Sequence, residues 1–230
     1  MVSLVVTDLD GTITGGDRSV HLKSVRYLRA LQRRGIPVGI ATGNTLYYTR
    51  SAATLLGLEG PLIAENGGVI EVDGRKEVLA DEDRVSVVRE AYETLREELG
   101  VRRTEPPGLR HTEVAIYRDV PVERVREVLR EYGYDEEVEV VDTGFAYHLK
   151  LRGVDKGKGL LRACELLDVD PDDVVALGDG DNDAPMLREA GLGVAPANAS
   201  RKAKKAADVV LDADDGEGVA EFLRELLREV

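Results

Sequence analysis

Short apolar runs, several of them without polar alternation, alternate with helical patterns along most of this chain of 230 residues. Runs that lack polar alternation are typical of parallel strands buried on both faces of a sheet. The strand candidates are residues 3–7, 37–41, 62–64, 174–177, 192–194 and 209–211. The helix candidates are residues 20–34, 45–56, 158–167 and 219–230. This alternation predicts an α/β fold with a doubly wound, mainly parallel sheet.

The middle of the chain follows another pattern. Two runs in residues 69–79 flank Asp73-Gly74 and predict a β-hairpin with a two-residue turn. Residues 83–153 then read as two α-β-β units, which predicts an inserted α+β domain with an antiparallel sheet. The predicted elements are helices 84–99 and 122–132 and strands 102–105, 113–117, 138–141 and 147–151. Residues 1–82 and 154–230 are therefore expected to form the core domain.

Two carboxylates, Asp8 and Asp10, follow directly on the first predicted strand. Two acids this close repel each other unless a cation sits between them or one keeps a proton. The pair suits a carboxylate nucleophile beside an acid/base, with a hard divalent cation reducing the repulsion. The alternative is an Asp-Gly turn that closes a hairpin.

Two further strand ends carry polar groups that suit an anion. Thr42-Gly43-Asn44 follows the second strand, and a hydroxyl with backbone N–H groups at a helix start can bind an anion. Alternatively, Thr42 or Asn44 simply caps the next helix. Lys156 precedes a helix start, where a cation is unfavourable for the helix dipole, which points to a role other than helix support.

Three aspartates, Asp179, Asp181 and Asp183, follow the strand at 174–177. The spacing is not that of an EF-hand, because Ala184 and Ala190 stand where that loop needs Gly and Glu. Capping of the next helix explains one acid, not three. Since parallel strands end at one edge of a sheet, Asp179 is expected to meet Asp8 and Thr42 there.

Composition excludes several classes of function. The net charge of −13 disfavours nucleic acid and anionic membranes as partners. No apolar stretch approaches the ~20 residues of a membrane span. The first residue leads straight into a strand, and Cys164 is the single cysteine, so we expect a cytoplasmic protein without an internal disulfide. Twenty-three Arg against eight Lys, with only five Asn plus Gln, are typical of a thermophile.

Taken in order, the four polar segments resemble the motifs of the haloacid dehalogenase superfamily of phosphatases. These are Asp-x-Asp-Gly-Thr, a strand ending in Thr-Gly, an isolated Lys-Gly, and Gly-Asp-x-x-Asn-Asp. Glu65-Asn66-Gly67-Gly68 is similar to the branch with a large cap, and the short chain with Thr-Gly-Asn most resembles the archaeal phosphoglycolate phosphatases. The resemblance implies a Rossmann-like core and a cap, residues 83–153, that closes over the substrate.

The resemblance also implies an activity, a cofactor and a set of site residues. The substrate would be a small phosphorylated metabolite, 2-phosphoglycolate first, and the cofactor Mg²⁺, with Mn²⁺ also suited to an oxygen shell. Asp8 would be the nucleophile and Asp10 the acid/base. The metal ligands would be the carboxylates of Asp8, Asp179 and Asp183 and the carbonyl of Asp10. The phosphoryl group would be held by Thr42, Gly43, Asn44 and Lys156.

Several alternatives stay open at this level. A broader sugar-phosphate phosphatase or a phosphomutase of the same superfamily would share every motif. A phosphorylated switch of the response-regulator receiver type also places acids, a Thr and a Lys at strand ends. Asp181 and Lys158 fit either the site or solvent, and His148 and Lys150 share a face of a cap strand where they could meet a substrate carboxylate. The chain could be a monomer or a homodimer.

Overall fold

The computed structural model describes residues 2–230, and they divide into two compact units. The first unit comprises residues 2–77 with Asp155–Val230, and the second is Val78–Val154. Within the described residues, no helix is both long enough and apolar enough to cross a membrane.

An eight-stranded sheet forms the centre of the first unit. Its strands are β1 Leu4–Thr7, β2 Val38–Ala41, β3 Leu62–Ala64, β4 Val69–Val72, β5 Arg75–Val78, β9 Val174–Leu177, β10 Leu192–Ala195 and β11 Val209–Val210. They lie in the order β11-β10-β9-β1-β2-β3-β4-β5, and the five pairings from β11 to β3 are parallel. This order confirms the predicted α/β fold with a mainly parallel sheet.

Strand register brings the predicted polar segments to one edge of this sheet. Thr7, the last residue of β1, pairs with Ile40 of β2 and with Leu177 of β9. Because all three strands run in the same direction, the residues that follow them leave the sheet side by side. The segments beginning at Asp8, Thr42 and Gly178 are therefore neighbours.

Helices cover this sheet and bury its apolar side chains. They are α1 Leu22–Gln32, α2 Leu46–Leu56, α5 Lys156–Leu167, α6 Ala184–Glu189, α7 Arg201–Ala206 and α8 Asp215–Glu229. Leu28 and Leu31 of α1 and Leu223 of α8 are fully buried in one cluster with the strands. Each such leucine contributes about 1.5–3 kcal/mol by leaving water. This packing fixes the ends of the strands, where the polar groups lie.

The second unit is an antiparallel sheet with two helices. Its elements are α3 Glu82–Leu99, β6 Glu113–Tyr117, α4 Val122–Glu131, β7 Val138–Asp142 and β8 Ala146–Leu151, with the strands in the order β6-β8-β7. One face of the sheet buries Val114, Ile116 and Leu149 in a cluster with residues of both helices. The alternation of apolar and polar residues along these strands places the apolar side chains on this one face.

One predicted strand of this unit is wrong. Residues 102–105 pair with β6 only through a bridge between Arg103 and Ile116. Pro106 and Pro107 follow at once, and proline has no N–H with which to continue a ladder. The second α-β-β unit is present as α4, β7 and β8, whereas the first is reduced to a helix, a bridge and one strand.

Two helices begin earlier than predicted, and the predicted hairpin turn is present. Helix α5 begins at Lys156, because the carboxylate of Asp155 accepts from the N–H of Lys158 at 3.0 Å and caps it there. Helix α8 begins at Asp215, four residues before the predicted start. The predicted hairpin turn has positive φ at both Asp73 and Gly74, as a two-residue turn requires.

Candidate active site

Asp8 lies where β1 ends and its carboxylate is buried. The N–H of Asp8 donates to the carbonyl of Leu177 at 2.8 Å, so the sheet's hydrogen bonding continues through this residue. The hydroxyl of Thr7 donates to the carbonyl of Asp8 at 2.7 Å. The backbone on both sides of the carboxylate is therefore fixed, which suits a group that must keep its direction.

Lys156 is fully buried and joins two of the acids. Its Nζ donates to Oδ1 of Asp8 at 2.7 Å and to Oδ1 of Asp183. Burial opposes the charged form, but the charges of Asp183 and Asp8 outweigh it, so the pKa of Lys156 is raised. The ammonium ion is thus a permanent positive charge inside the site.

The loop after β9 presents Asp179 and Asp183. Oδ2 of Asp183 accepts from the N–H groups of Asp179 at 3.0 Å and Gly180 at 2.8 Å, which closes the loop on itself. Oδ1 of Asp179 accepts from the hydroxyl of Thr12 at 2.9 Å. Gly11 packs so closely that an added Cβ would lie 2.5 Å from Oδ2 of Asp179, and its φ of +84° also favours glycine.

Asp8, Asp179 and Asp183 form a cluster that could hold a metal ion. One oxygen from each carboxylate lies within 4.8 Å of the others. Burial raises the pKa of Asp8 well above its usual range, against the charge of Lys156 and with the charges of Asp183 and Asp179 adding to the effect. Burial, then the charge of Asp183, raises the pKa of Asp179 to about 6. Three acids share one ammonium ion, so the cluster favours a further cation.

Thr42, Gly43 and Asn44 lie at the end of β2 beside Asp10. The hydroxyl oxygen of Thr42 accepts from the N–H of Asn44 at 3.1 Å and from its side-chain Nδ2 at 3.0 Å. Nδ2 of Asn44 also lies 3.3 Å from Oδ2 of Asp10. The alternative in which Thr42 or Asn44 caps α2 is wrong, because the cap is Thr45, which accepts from the N–H of Tyr48.

Two other aspartate and lysine candidates lie apart from this cluster. Oδ1 of Asp181 accepts from the hydroxyl of Ser200 at 2.6 Å, and Asp181 is exposed. Lys158 is exposed on α5, and its N–H is the group that Asp155 caps. Asp181 thus bonds Ser200, which caps α7, and the side chain of Lys158 is exposed to solvent.

Three residues that the sequence reasoning did not assign to the site contact it. Thr12 belongs to the same motif as Asp8, so its side-chain bond to Asp179 could have been expected from the motif. Asn66 is buried, and its Oδ1 accepts from Nδ2 of Asn182 at 2.9 Å. Arg18 contacts Asp10 through Nε at 3.2 Å and Nη2 at 3.1 Å, and nothing in the sequence pattern pointed to it.

In the second unit, the polar face of the sheet carries buried charges. Nδ1 of His148 lies 2.8 Å from Oε1 of Glu113, and Nζ of Lys150 donates to Glu139 at 2.5 Å and to the carbonyl of Val154. His148 and Lys150 share a face, as predicted, but each has an acidic partner within the unit. This favours a structural role for both over recognition of a ligand.

Comparison with known proteins agrees with this fold. The family model of haloacid dehalogenase-like hydrolases matches residues 5–103 and 123–223. The chain belongs to this family of hydrolases, which confirms the predicted superfamily and the prediction of an enzyme. The residues gathered at the sheet edge are those of the motifs that carried the resemblance.

Individual relatives are similar over nearly the whole chain. A phosphoglycolate phosphatase of Methanopyrus kandleri is 70% identical over 230 residues, covering all of this chain and 99% of its own. One of Methanothermobacter thermautotrophicus is 40% identical over 223 residues, covering 97% and 98%. A crystal structure of a Thermoplasma acidophilum protein superposes with a TM-score of 0.85 at 25% identity, covering 99% of each chain. Both named relatives come from archaea, in line with the predicted archaeal type.

Proposed function

We propose that this protein is a Mg²⁺-dependent phosphatase that hydrolyses 2-phosphoglycolate to glycolate and phosphate through an aspartyl-phosphate on Asp8. The observation that carries this proposal is the contact of Lys156 with both Asp8 and Asp183 at the sheet edge. A buried carboxylate beside a fixed cation and further acids suits phosphoryl transfer, where positioned charge is the largest need. The substrate is carried by the similarity to the named relatives.

The residues present fit a magnesium ion. Their donor atoms are all oxygens, the preference of Mg²⁺ and Mn²⁺. Burial, together with the charges of the neighbouring acids, raises the pKa values of Asp8 and Asp179, and a divalent cation would favour their charged forms. The ligands would be the carboxylates of Asp8, Asp179 and Asp183 and the carbonyl of Asp10. A bound Mg²⁺ would supply positive charge to the phosphoryl oxygens and so reduce their repulsion of the nucleophile.

Asp8 carries out the first half of the reaction. Its carboxylate forms a bond to phosphorus in line with the leaving oxygen, and the bond between phosphorus and that oxygen breaks. Asp10 gives its proton to the leaving oxygen, which departs as the hydroxyl of glycolate. Lys156 keeps the attacking carboxylate aimed, because it holds Oδ1 and leaves the other oxygen to react.

Asp10 reverses its role in the second half. It removes a proton from a water molecule, whose oxygen attacks the phosphorus of the aspartyl-phosphate. Phosphate leaves, and Asp8 is free again. Thr42, Gly43, Asn44 and Lys156 would hold the phosphoryl oxygens through both steps. The Val78–Val154 unit would act as the cap that excludes water before the first step.

Inorganic phosphate release from 2-phosphoglycolate tests this proposal, with sugar phosphates and an aryl phosphate alongside. We expect release that needs Mg²⁺, prefers phosphoglycolate and is lost in Asp8→Asn. Asp181→Asn is the matched control, since Asp181 lies in the same loop as Asp179 but bonds Ser200. Asp10→Asn should slow hydrolysis of the intermediate, so that intact-mass analysis detects one phosphoryl group on Asp8.

Other outcomes would replace the proposal. Preferred turnover of sugar phosphates would indicate the broader phosphatase. Transfer of phosphate between positions of a bisphosphorylated sugar, without release, would indicate a phosphomutase. Stable labelling of Asp8 in the unmodified protein, with no release from any substrate, would indicate a receiver-like switch.

A further inference from the structure

Arg18 holds the acid that we propose protonates the leaving group. Its Nε and Nη2 lie 3.2 and 3.1 Å from Oδ1 of Asp10. The other oxygen of Asp10 faces Nδ2 of Asn44 at 3.3 Å. A group that leaves toward Asp10 therefore comes within about two hydrogen-bond lengths of the Arg18 guanidinium.

The backbone at Arg18 does not favour arginine. A tight turn places it at φ 64°, in the left-handed region, where a residue other than glycine costs about 1–2 kcal/mol. The turn is closed by the N–H of Arg18 donating to Gly15 at 2.8 Å and the N–H of Gly15 donating to Ser19 at 3.0 Å. Gly or Asn would suit this position better. Strained residues of this kind are often found at functional sites.

A cation is needed on the side of the site from which the leaving group departs, to balance the charge of that group. Lys156 is buried against Asp8 and Asp183, so its charge serves the phosphoryl side. In 2-phosphoglycolate the carboxylate carbon is two bonds from the oxygen that leaves. An oxygen protonated by Asp10 thus brings that carboxylate next to Arg18. A guanidinium suits it, because its planar donors match carboxylate geometry.

A cavity of about 220 Å³ lies beside these two residues, between the loop after β1 and helix α2. Its lining is mostly apolar, and Arg18 is its cationic member. Such a cavity suits a short carbon skeleton that ends in one negative group.

We infer that Arg18 is a specificity-determining residue, which binds the carboxylate of the leaving group and selects 2-phosphoglycolate over uncharged phosphate esters. This inference rests on the proposed function. It goes beyond that function by naming the residue that recognises the part of the substrate that is not transferred. Arg18 leaves Asp10 for the substrate, so binding also frees the acid for proton transfer.

The test compares two substrates in one set of variants. 2-Hydroxyethyl phosphate replaces the carboxylate of 2-phosphoglycolate by a hydroxymethyl group. Arg18→Asn should lower the ratio of kcat/KM for phosphoglycolate to that for 2-hydroxyethyl phosphate by about tenfold to a hundredfold, the range for a lost charge-assisted hydrogen bond. The change should lie mainly in KM. Arg18→Lys keeps the charge and should restore part of the ratio.

Arg50→Gln is the matched control. Arg50 is similarly exposed and also pairs with an acid, Glu71, but away from Asp10. Arg50→Gln should leave the ratio of kcat/KM for the two substrates unchanged. Arg18→Asn should melt no lower than the unmodified protein, because Asn tolerates the left-handed backbone.

Equal loss on both substrates would show that Arg18 only positions Asp10, and would overturn the inference while the proposed phosphatase stands. No effect of Arg18→Asn on either substrate would overturn it as well. Failure of the unmodified protein to turn over phosphoglycolate would instead overturn the proposed function.

Discussion

Asn182 donates a side-chain hydrogen bond to Asn66 at 2.9 Å, and this bond joins the loop after β9 to the turn after β3. Asn66 is buried in a left-handed conformation with φ 53°. Its N–H donates to the carbonyl of Thr42 at 3.1 Å. The amide of Asn66 also packs on Gly43, where an added Cβ would lie 3.1 Å from Oδ1. One side chain thus ties the acidic loop to the predicted phosphate loop.

A double-mutant cycle tests this link. Asn66→Gly removes the side chain and keeps the left-handed backbone, and Asn182→Ala removes the donor. We expect a coupling of about 1 kcal/mol in the free energy of unfolding by urea, the net value of one hydrogen bond. Each single variant should also lower kcat/KM about tenfold, because two loops lose their relative position. Additive effects in both measurements would show that the two amides act independently.

Replacement of Lys156 should damage stability and activity together. Lys156→Met leaves Asp8 and Asp183 buried without their shared cation, and breaking a buried pair costs about 3–5 kcal/mol. We expect a loss of that size in urea unfolding with chelator present, and kcat/KM at least a hundredfold lower. Lys158→Met, an exposed lysine two residues away, is the control and should change neither quantity. A Lys156→Met protein as stable as its parent would argue against the buried contacts of Lys156 with Asp8 and Asp183.

Neutralising Asp179 should stabilise the metal-free protein at neutral pH. Its folded pKa of about 6 lies above its ordinary value of 3.8, so stability falls as pH rises from 4 to 6, and the full cost remains at higher pH. Asp179→Asn should therefore gain about 1–3 kcal/mol in urea unfolding at pH 7.5 with chelator, and nothing at pH 3.5.

Magnesium should reverse the order of stability of the unmodified protein and Asp179→Asn. Mg²⁺ should raise the Tm of the unmodified protein by binding the folded state, and Asp179→Asn should lose most of that shift. Asp181→Asn is the control and should respond to Mg²⁺ like its parent. An Asp179→Asn protein that is less stable than its parent in chelator at pH 7.5 would contradict the raised pKa.

Cys164 should resist alkylation until the solution is strongly alkaline. Burial, with a smaller effect from the charge of Asp170, raises the pKa of its thiol to about 11, and the thiolate is the reactive form. At pH 8 we expect iodoacetamide to react at least a hundredfold more slowly with the folded protein than in urea. The thiol also makes stability fall between pH 9 and 11, because the unfolded chain loses this proton first. Folded and unfolded rates within tenfold of each other would show that the thiol is accessible, with Cys164→Ser as the unlabelled reference.

The sequence alone predicted the sheet and the edge at which the site lies. Apolar runs without polar alternation identify strands buried on both faces, and parallel strands must end together. That argument needs no knowledge of packing, so the meeting of Asp8, Thr42 and Asp179 followed from local patterns. The same local reasoning wrongly predicted a strand at residues 102–105, where the prolines that follow limit pairing to a single bridge.

Tertiary structure alone decided which side chains support those groups. Asn66 and Asn182 are 116 residues apart, and Thr12 and Asp179 are 167 apart, so no local period relates them. Arg18 is close to Asp10 in sequence, yet its contact depends on a left-handed turn that its residue type does not predict. Strand positions follow from the repeating geometry of the backbone, whereas a hydrogen bond between two loops depends on how each loop closes. The sequence therefore determined where the candidate site lies, and only the folded chain determined which side chains hold it in place.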